Sequence, residues 1–151
     1  MTVEICQEAF DPWIKLADYQ SQILGHQGKF GATATFVGTM RDFNEGDDVQ
    51  SMFLEHYSGM TEKQIENIVA EAAKKWDFLD SYIVHRVGDI YPNDPIVLVV
   101  VWSEHRADAF ECSRFLMEKL KSEAPFWKKE VLREGERWVA KNTLGFKKDL
   151  P

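Results

Sequence analysis

Apolar residues recur along this chain with two different periods, and their alternation predicts an ordered series of helices and strands. Ile65, Ile68, Val69, Ala72, Ala73 and Trp76 fall three and four residues apart, which puts them on one helical face. Thr61 and Gln64, just ahead, fit a capping box. A second long helix is predicted over 107–121, with a buried stripe of Ala109, Phe110, Ser113, Leu116, Met117 and Leu120. Cys112 falls within that stripe as a small core residue. An earlier helix is predicted over 12–24, where Asp11 supplies the N-cap and Pro12 takes the first helical position. Period-two and continuous apolar runs mark strands over 32–37, 51–57, 82–87 and 96–102. The last of these is apolar on both faces and reads as a central strand. Short strands follow around 130–139, and residues 38–50 form a long polar loop.

From residue 32 the order is β-β-α-β-β-α-β, which predicts an α+β fold with a mainly antiparallel sheet and helices packed on it. At 151 residues the chain has the size of one domain, without internal repeats or low-complexity linkers. We divide it into an N-terminal extension with its helix (1–30), a core (31–140) and a C-terminal tail (141–151).

A net charge of −7 argues against general nucleic-acid binding, which depends on neutralising phosphates. The charge is uneven, however: from Lys119 to Lys148 basic residues outnumber acidic ones. Such a patch suits a small anionic ligand, or equally a solvated helix face. Cys6 and Cys112 stand far apart and give no disulfide framework. The first residues do not resemble a signal peptide, and no run approaches the ~20 apolar residues of a membrane span. A cytoplasmic protein is expected.

Candidate chemistry gathers around KSEAPFWKKE (121–130). A helix carrying Lys121 must stop before Pro125, because the residue ahead of a proline is pushed out of the α region. The chain then turns through Phe126 and Trp127 and presents Lys128 and Lys129. Two amines can thereby meet in one partly dry pocket, where burial and mutual repulsion lower a lysine pKa towards a range useful for proton transfer. A solvated basic turn is the plainer reading of the same spacing. His105 and Arg106, at a strand-to-helix junction, suit a phosphate or carboxylate. Arg41, in the polar loop, is a further cation for the same anion. His56 and His85 read as packed or hydrogen-bonded strand residues, and His26 as a turn residue. Neither zinc-site spacing nor a phosphate-cradling glycine loop occurs, so no metal or nucleotide cofactor is expected.

The ordered blocks GTMRDFNEGD (38–47), LEHYSGMTEK (54–63), HRVGDIYPND (85–94), SEHRADAF (103–110), LKSEAPFWKKE (120–130) and GERWV (135–139) resemble the MoaE family, the catalytic large subunits of molybdopterin synthases. The resemblance implies the MoaE-like α/β hammerhead fold. It also implies transfer of sulfur to cyclic pyranopterin monophosphate in molybdenum cofactor biosynthesis. The donor would be a small ubiquitin-like carrier subunit with a thiocarboxylated C-terminal glycine, docked on a homodimer to give a heterotetramer. By motif, Lys121 and Lys128 match the catalytic lysines. Thr39, Met40, Arg41, His105, Arg106, Lys129 and Glu130 match substrate-contacting positions. The chain departs from a GKVR pattern at Thr39, and Glu104 varies the SEHR block. No cofactor, nucleic acid or membrane is implied. A non-catalytic dimeric module that docks a ubiquitin-like protein or an anionic metabolite is the alternative.

Overall fold

The computed structural model describes residues 1–22, 28–44 and 46–139. Its elements run β1 (Thr2–Cys6), α1 (Pro12–Gln22), β2 (Ala32–Thr39), β3 (Phe43–Asn44), β4 (Asp47–His56), α2 (Met60–Ala73), β5 (Asp80–Arg86), β6 (Gly88–Ile90), β7 (Pro95–Ser103), α3 (Arg106–Glu123), β8 (Phe126–Leu132) and β9 (Gly135–Trp138). The end of the helix expected over 12–24, His26 and the tail 141–151 lie outside the described residues.

The described residues form two sheets. The first has the order β1-β5-β7-β2, antiparallel except for the parallel β1–β5 pair. Strand β7 is apolar on both faces because both are covered. Val97, Val99 and Val101 pack under α2 and α3, with Ile65, Ile68, Leu116 and Leu120 above them. Leu98, Val100 and Trp102 face the other way, towards Tyr19 of α1 and Tyr82. The second sheet has the order β3-β4-β8-β9, with β6 also paired to β4. Its inner face holds a third apolar cluster, including Met40, Val49, Met52, Leu54, Val87 and Ile90.

Local chemistry explains most element ends. The Asp11 carboxylate accepts from the Trp13 and Ile14 amides at 2.9 and 3.2 Å, so the expected N-cap of α1 is present. At α2 the cap differs from expectation. Gly59, at φ 83°, is the N-cap, and Glu62 reaches back to accept from its amide at 2.9 Å. Thr61 is instead buried in the first turn, where its hydroxyl accepts from Tyr57 N–H and donates to the Pro125 carbonyl. That tertiary bond is why a cap assigned from spacing alone falls two residues late.

Two further differences bear on the site. The loop expected over 38–50 is partly a hairpin, with Asn44 paired to Asp47 and Phe43 to Asp48. The buried stripe of α3 is Ala109, Cys112, Leu116, Met117 and Leu120, while Phe110 is 66% exposed. Phe110 sits about 100° round the helix from Ala109 and so flanks the stripe.

Candidate active site

The site is made where the end of α3 meets β8. Ala124 takes an extended conformation (ψ 132°) before Pro125, which ends α3 just past Lys121. Strand β8 then runs antiparallel to β4, pairing Phe126 with His56, Lys128 with Leu54 and Glu130 with Met52. Alternation along a strand sends Phe126, Lys128 and Glu130 to one face and Trp127 and Lys129 to the other.

A cleft of about 270 Å³ opens on the first face. Lys121, Lys128, Arg41, Thr39, Met40 and Glu130 line it, so six of the nine sequence-predicted positions come together in one chain. Apolar walls from Met52, Leu54, Ile96 and Phe126 thin the water around these charges. Arg41 lies against the Phe43 ring, its guanidinium carbon 4.9 Å from the centroid.

The amine of Lys121 has a lowered pKa. Desolvation by surrounding protein is the main cause; Lys128 and Arg41 act in the same direction, and Glu118 opposes them. Lys121 as a residue is exposed, so its amine is crowded rather than sealed off. Less free energy is then needed to deprotonate it than an ordinary lysine.

Glu130 is 3% exposed, and its carboxylate is already engaged. Asn44 Nδ2 donates to both oxygens at 3.2 and 3.0 Å, and Arg137 Nε donates at 2.9 Å. Arg137 also donates to Asp47 and to the Asn44 carbonyl, pinning the β3–β4 hairpin over the cleft. Lys129 lies on the opposite face, paired with Glu136 at 3.2 Å and 5.7 Å from the Trp138 centroid.

His105 and Arg106 do not line this cleft. They are exposed at the start of α3, while Lys121 is near its end. Fifteen residues of helix separate Arg106 from Lys121, an axial distance of about 22 Å. A single chain therefore does not bring them to one small ligand.

Of the lining residues that the sequence did not assign to the site, His85 is the titratable one. His85 is 7% exposed, stacks on Phe126 with centroids 4.0 Å apart, and also lines the cleft. Its Nδ1 lies 2.9 Å from the Arg86 carbonyl, an acceptor, so Nδ1 carries the proton of the neutral ring. Burial pushes its pKa down to about 4, against the backbone hydrogen bond, and Lys121 and His56 add to the depression. The packed and hydrogen-bonded role expected for it holds. The signal for its second role was its place in the HRVG block. Among the described residues, no group of His, Cys, Asp and Glu could hold a metal ion.

The family model described as "MoaE protein" matches residues 9–123. The chain belongs to the MoaE family. A Pseudomonas aeruginosa protein named molybdopterin synthase catalytic subunit is 48% identical over 139 residues, covering 92% of this chain and 90% of the relative. The solved structure of a molybdopterin biosynthesis MoaE protein from Burkholderia ambifaria is 48% identical, with a TM-score of 0.75 over 91% of this chain and 88% of that one. The crystal structure of molybdopterin synthase from Staphylococcus aureus is 31% identical, with a TM-score of 0.80, and the match covers 91% and 96% of the two chains. The expected α+β architecture is thus that of MoaE structures. Among the described residues, no helix is long and apolar enough to cross a membrane.

Proposed function

We propose that this chain is the catalytic subunit of a molybdopterin synthase. It would transfer sulfur from a thiocarboxylated ubiquitin-like carrier to cyclic pyranopterin monophosphate. The observation that carries the reading is the convergence of Lys121, Lys128 and Arg41 on one cleft walled by Phe126 and Met52. A thiocarboxylate and a cyclic phosphate are both anions. Two unit charges about 4 Å apart repel by roughly 4 kcal/mol at an effective dielectric of about 20. Three cations at the meeting point offset that repulsion, and their effect is larger where water is thinned. The crowded amine of Lys121 suits it to proton transfer, with Lys128 holding the thiocarboxylate or the carboxylate it leaves behind.

Glu130 then serves by fixing the hairpin and Lys129 by its place on the outer face. Thr39 and Met40 shape the wall beside Arg41. His105 and Arg106 act on the cleft of a second copy in a homodimer, a role favoured by the length of α3 between them and Lys121. The carrier's extended tail enters the same cleft, giving a heterotetramer, and the reaction is cytoplasmic.

The test mixes purified protein, thiocarboxylated carrier and cyclic pyranopterin monophosphate, with dithiolene product read by mass spectrometry. Product should form and be lost in Lys121→Ala and Lys128→Ala, with carrier binding retained. Wild-type rates in both variants would refute the assignment. A stable carrier complex that makes no product would move the protein to the docking-module class.

A further inference from the structure

Arg86 carries a charge that the reaction does not use, yet it is only 7% exposed. Burying a cation is costly unless its donors are engaged. Arg86 Nη2 donates to the Asp89 carbonyl at 2.7 Å, and Nε donates to the Gln7 carbonyl at 3.3 Å. Nη1 stands 3.8 Å from the Asp94 carboxylate and, among the described residues, has no hydrogen-bond acceptor. Its attraction to Asp94 is therefore the main compensation for that end of the guanidinium. Asp94 in turn closes a tight turn, accepting from Tyr91 N–H at 3.0 Å through its side chain, while its own amide donates to the Tyr91 carbonyl. Asn93 in this turn has a φ of 76°, a left-handed conformation that asparagine tolerates better than most residues.

The turn grips the substrate loop. Strand β2 loses its regular register with β7 between Gly38 and Thr39, so the sheet ladder stops directing the chain there. The next residue, Met40, is held by the turn instead. Its amide donates to the Asp94 carbonyl at 2.9 Å, and its carbonyl accepts from Asn93 N–H at 2.9 Å. Arg41 follows at once and lines the cleft.

We propose that Arg86 and Asp94 are positioning residues for Arg41, holding the 91–94 turn so that its two backbone bonds to Met40 aim the Arg41 guanidinium into the cleft. The inference rests on the proposed function only in taking Arg41 as an anion contact. Neither Arg86 nor Asp94 lines the cleft, so any effect they have on the substrate passes through the loop. Arg41 is exposed and follows a broken ladder, with the Phe43 ring against its guanidinium, so the turn sets where its backbone starts.

The test is Asp94→Asn, which keeps a side-chain acceptor for Tyr91 N–H but removes the charge facing Arg86. With saturating thiocarboxylated carrier, KM for cyclic pyranopterin monophosphate should rise about tenfold, more than kcat changes. In an Arg41→Ala background the same change should add less than about twofold, because the residue being aimed is gone. Hydrogen exchange supplies a readout that does not need the reaction. The Met40 amide should exchange faster in Asp94→Asn while amides of α2 and α3 keep wild-type protection. An unchanged KM, a full tenfold loss repeated without Arg41, or unaltered Met40 exchange would each overturn the proposal. A wild-type protein that makes no product would count against the sulfur-transfer reading alone, with the exchange experiment still deciding whether Asp94 holds Met40.

Discussion

Acidifying the protein should expose the cost of keeping His85 neutral. The ring is buried against Phe126, and its pKa in the fold is about 4, below the usual histidine value near 6.5. Between those two values the unfolded chain binds a proton that the folded site refuses. Stability therefore rises with pH through this window and falls as the pH drops from 6.5 towards 4. The full shift of about 2.5 units corresponds to about 3.4 kcal/mol, of which about 2 kcal/mol has been lost by pH 5. Below pH 4 both states are protonated, and this contribution declines no further.

Denaturant unfolding of wild type and His85→Phe between pH 7.5 and 4.5 isolates the effect. Phenylalanine preserves a ring against Phe126 and removes the titration, while acidic side chains elsewhere titrate in both proteins. His85→Phe has its own cost at neutral pH, since the Arg86 carbonyl loses a partner, so the quantity compared is the change with pH. Wild type should lose about 2 kcal/mol more than the variant between pH 7.5 and 5. Parallel stability curves would mean that the ring accepts a proton in the fold without penalty, and the case for a neutral imidazole in the cleft would fail.

Replacing Lys128 with methionine removes one of the charges that depress Lys121, so the Lys121 pKa should move up; the pH dependence of acylation at Lys121, followed by peptide mass spectrometry, reads this directly. Thr61→Val leaves the Tyr57 amide and the Pro125 carbonyl without the hydroxyl that joins them, and should cost about 1–3 kcal/mol in denaturant unfolding. It should also lower sulfur-transfer activity more than a core substitution of equal cost, because Pro125 leads directly into Phe126.

Elements with a sustained period were legible in the sequence. Of the expected stripe, Ile65, Ile68, Val69 and Ala72 form the buried face of α2 and Trp76 packs beside them, while Ala73 is exposed; β7 is central because its two faces pack on different layers. Strand β1 was not legible: five half-buried residues are too few to show a period, and its pairing partner Tyr82 lies some 80 positions away. The β3–β4 hairpin was hidden for a related reason. Apart from Phe43 its paired residues are polar, and they are held by Glu130 of β8 and Arg137 of β9, far along the chain. At the site, the two lysines were readable because proline and the aromatics fix the turn between them locally. Met52, Leu54 and His85 were not assigned to the cleft because cross-strand register puts them there, and register depends on partners far along the chain. His105 and Arg106 share chemistry with the cleft but not its location, since helix length carries no signature in a short motif.

Strand parity makes the cleft unusually sensitive to chain length. Phe126, Lys128 and Glu130 face inward only because an even number of positions separates each from the next. Losing one residue between Pro125 and Lys128, with Pro125 held and the following strand drawn up by one position, would turn Lys129 inward and send the Lys128 amine to the outer surface. All but one of the side chains would remain, yet this face of the site would be inside out. For this segment the count of residues is thus as much a determinant of chemistry as their identity. A relative that differs by one residue here should be judged first by which way its strand reads.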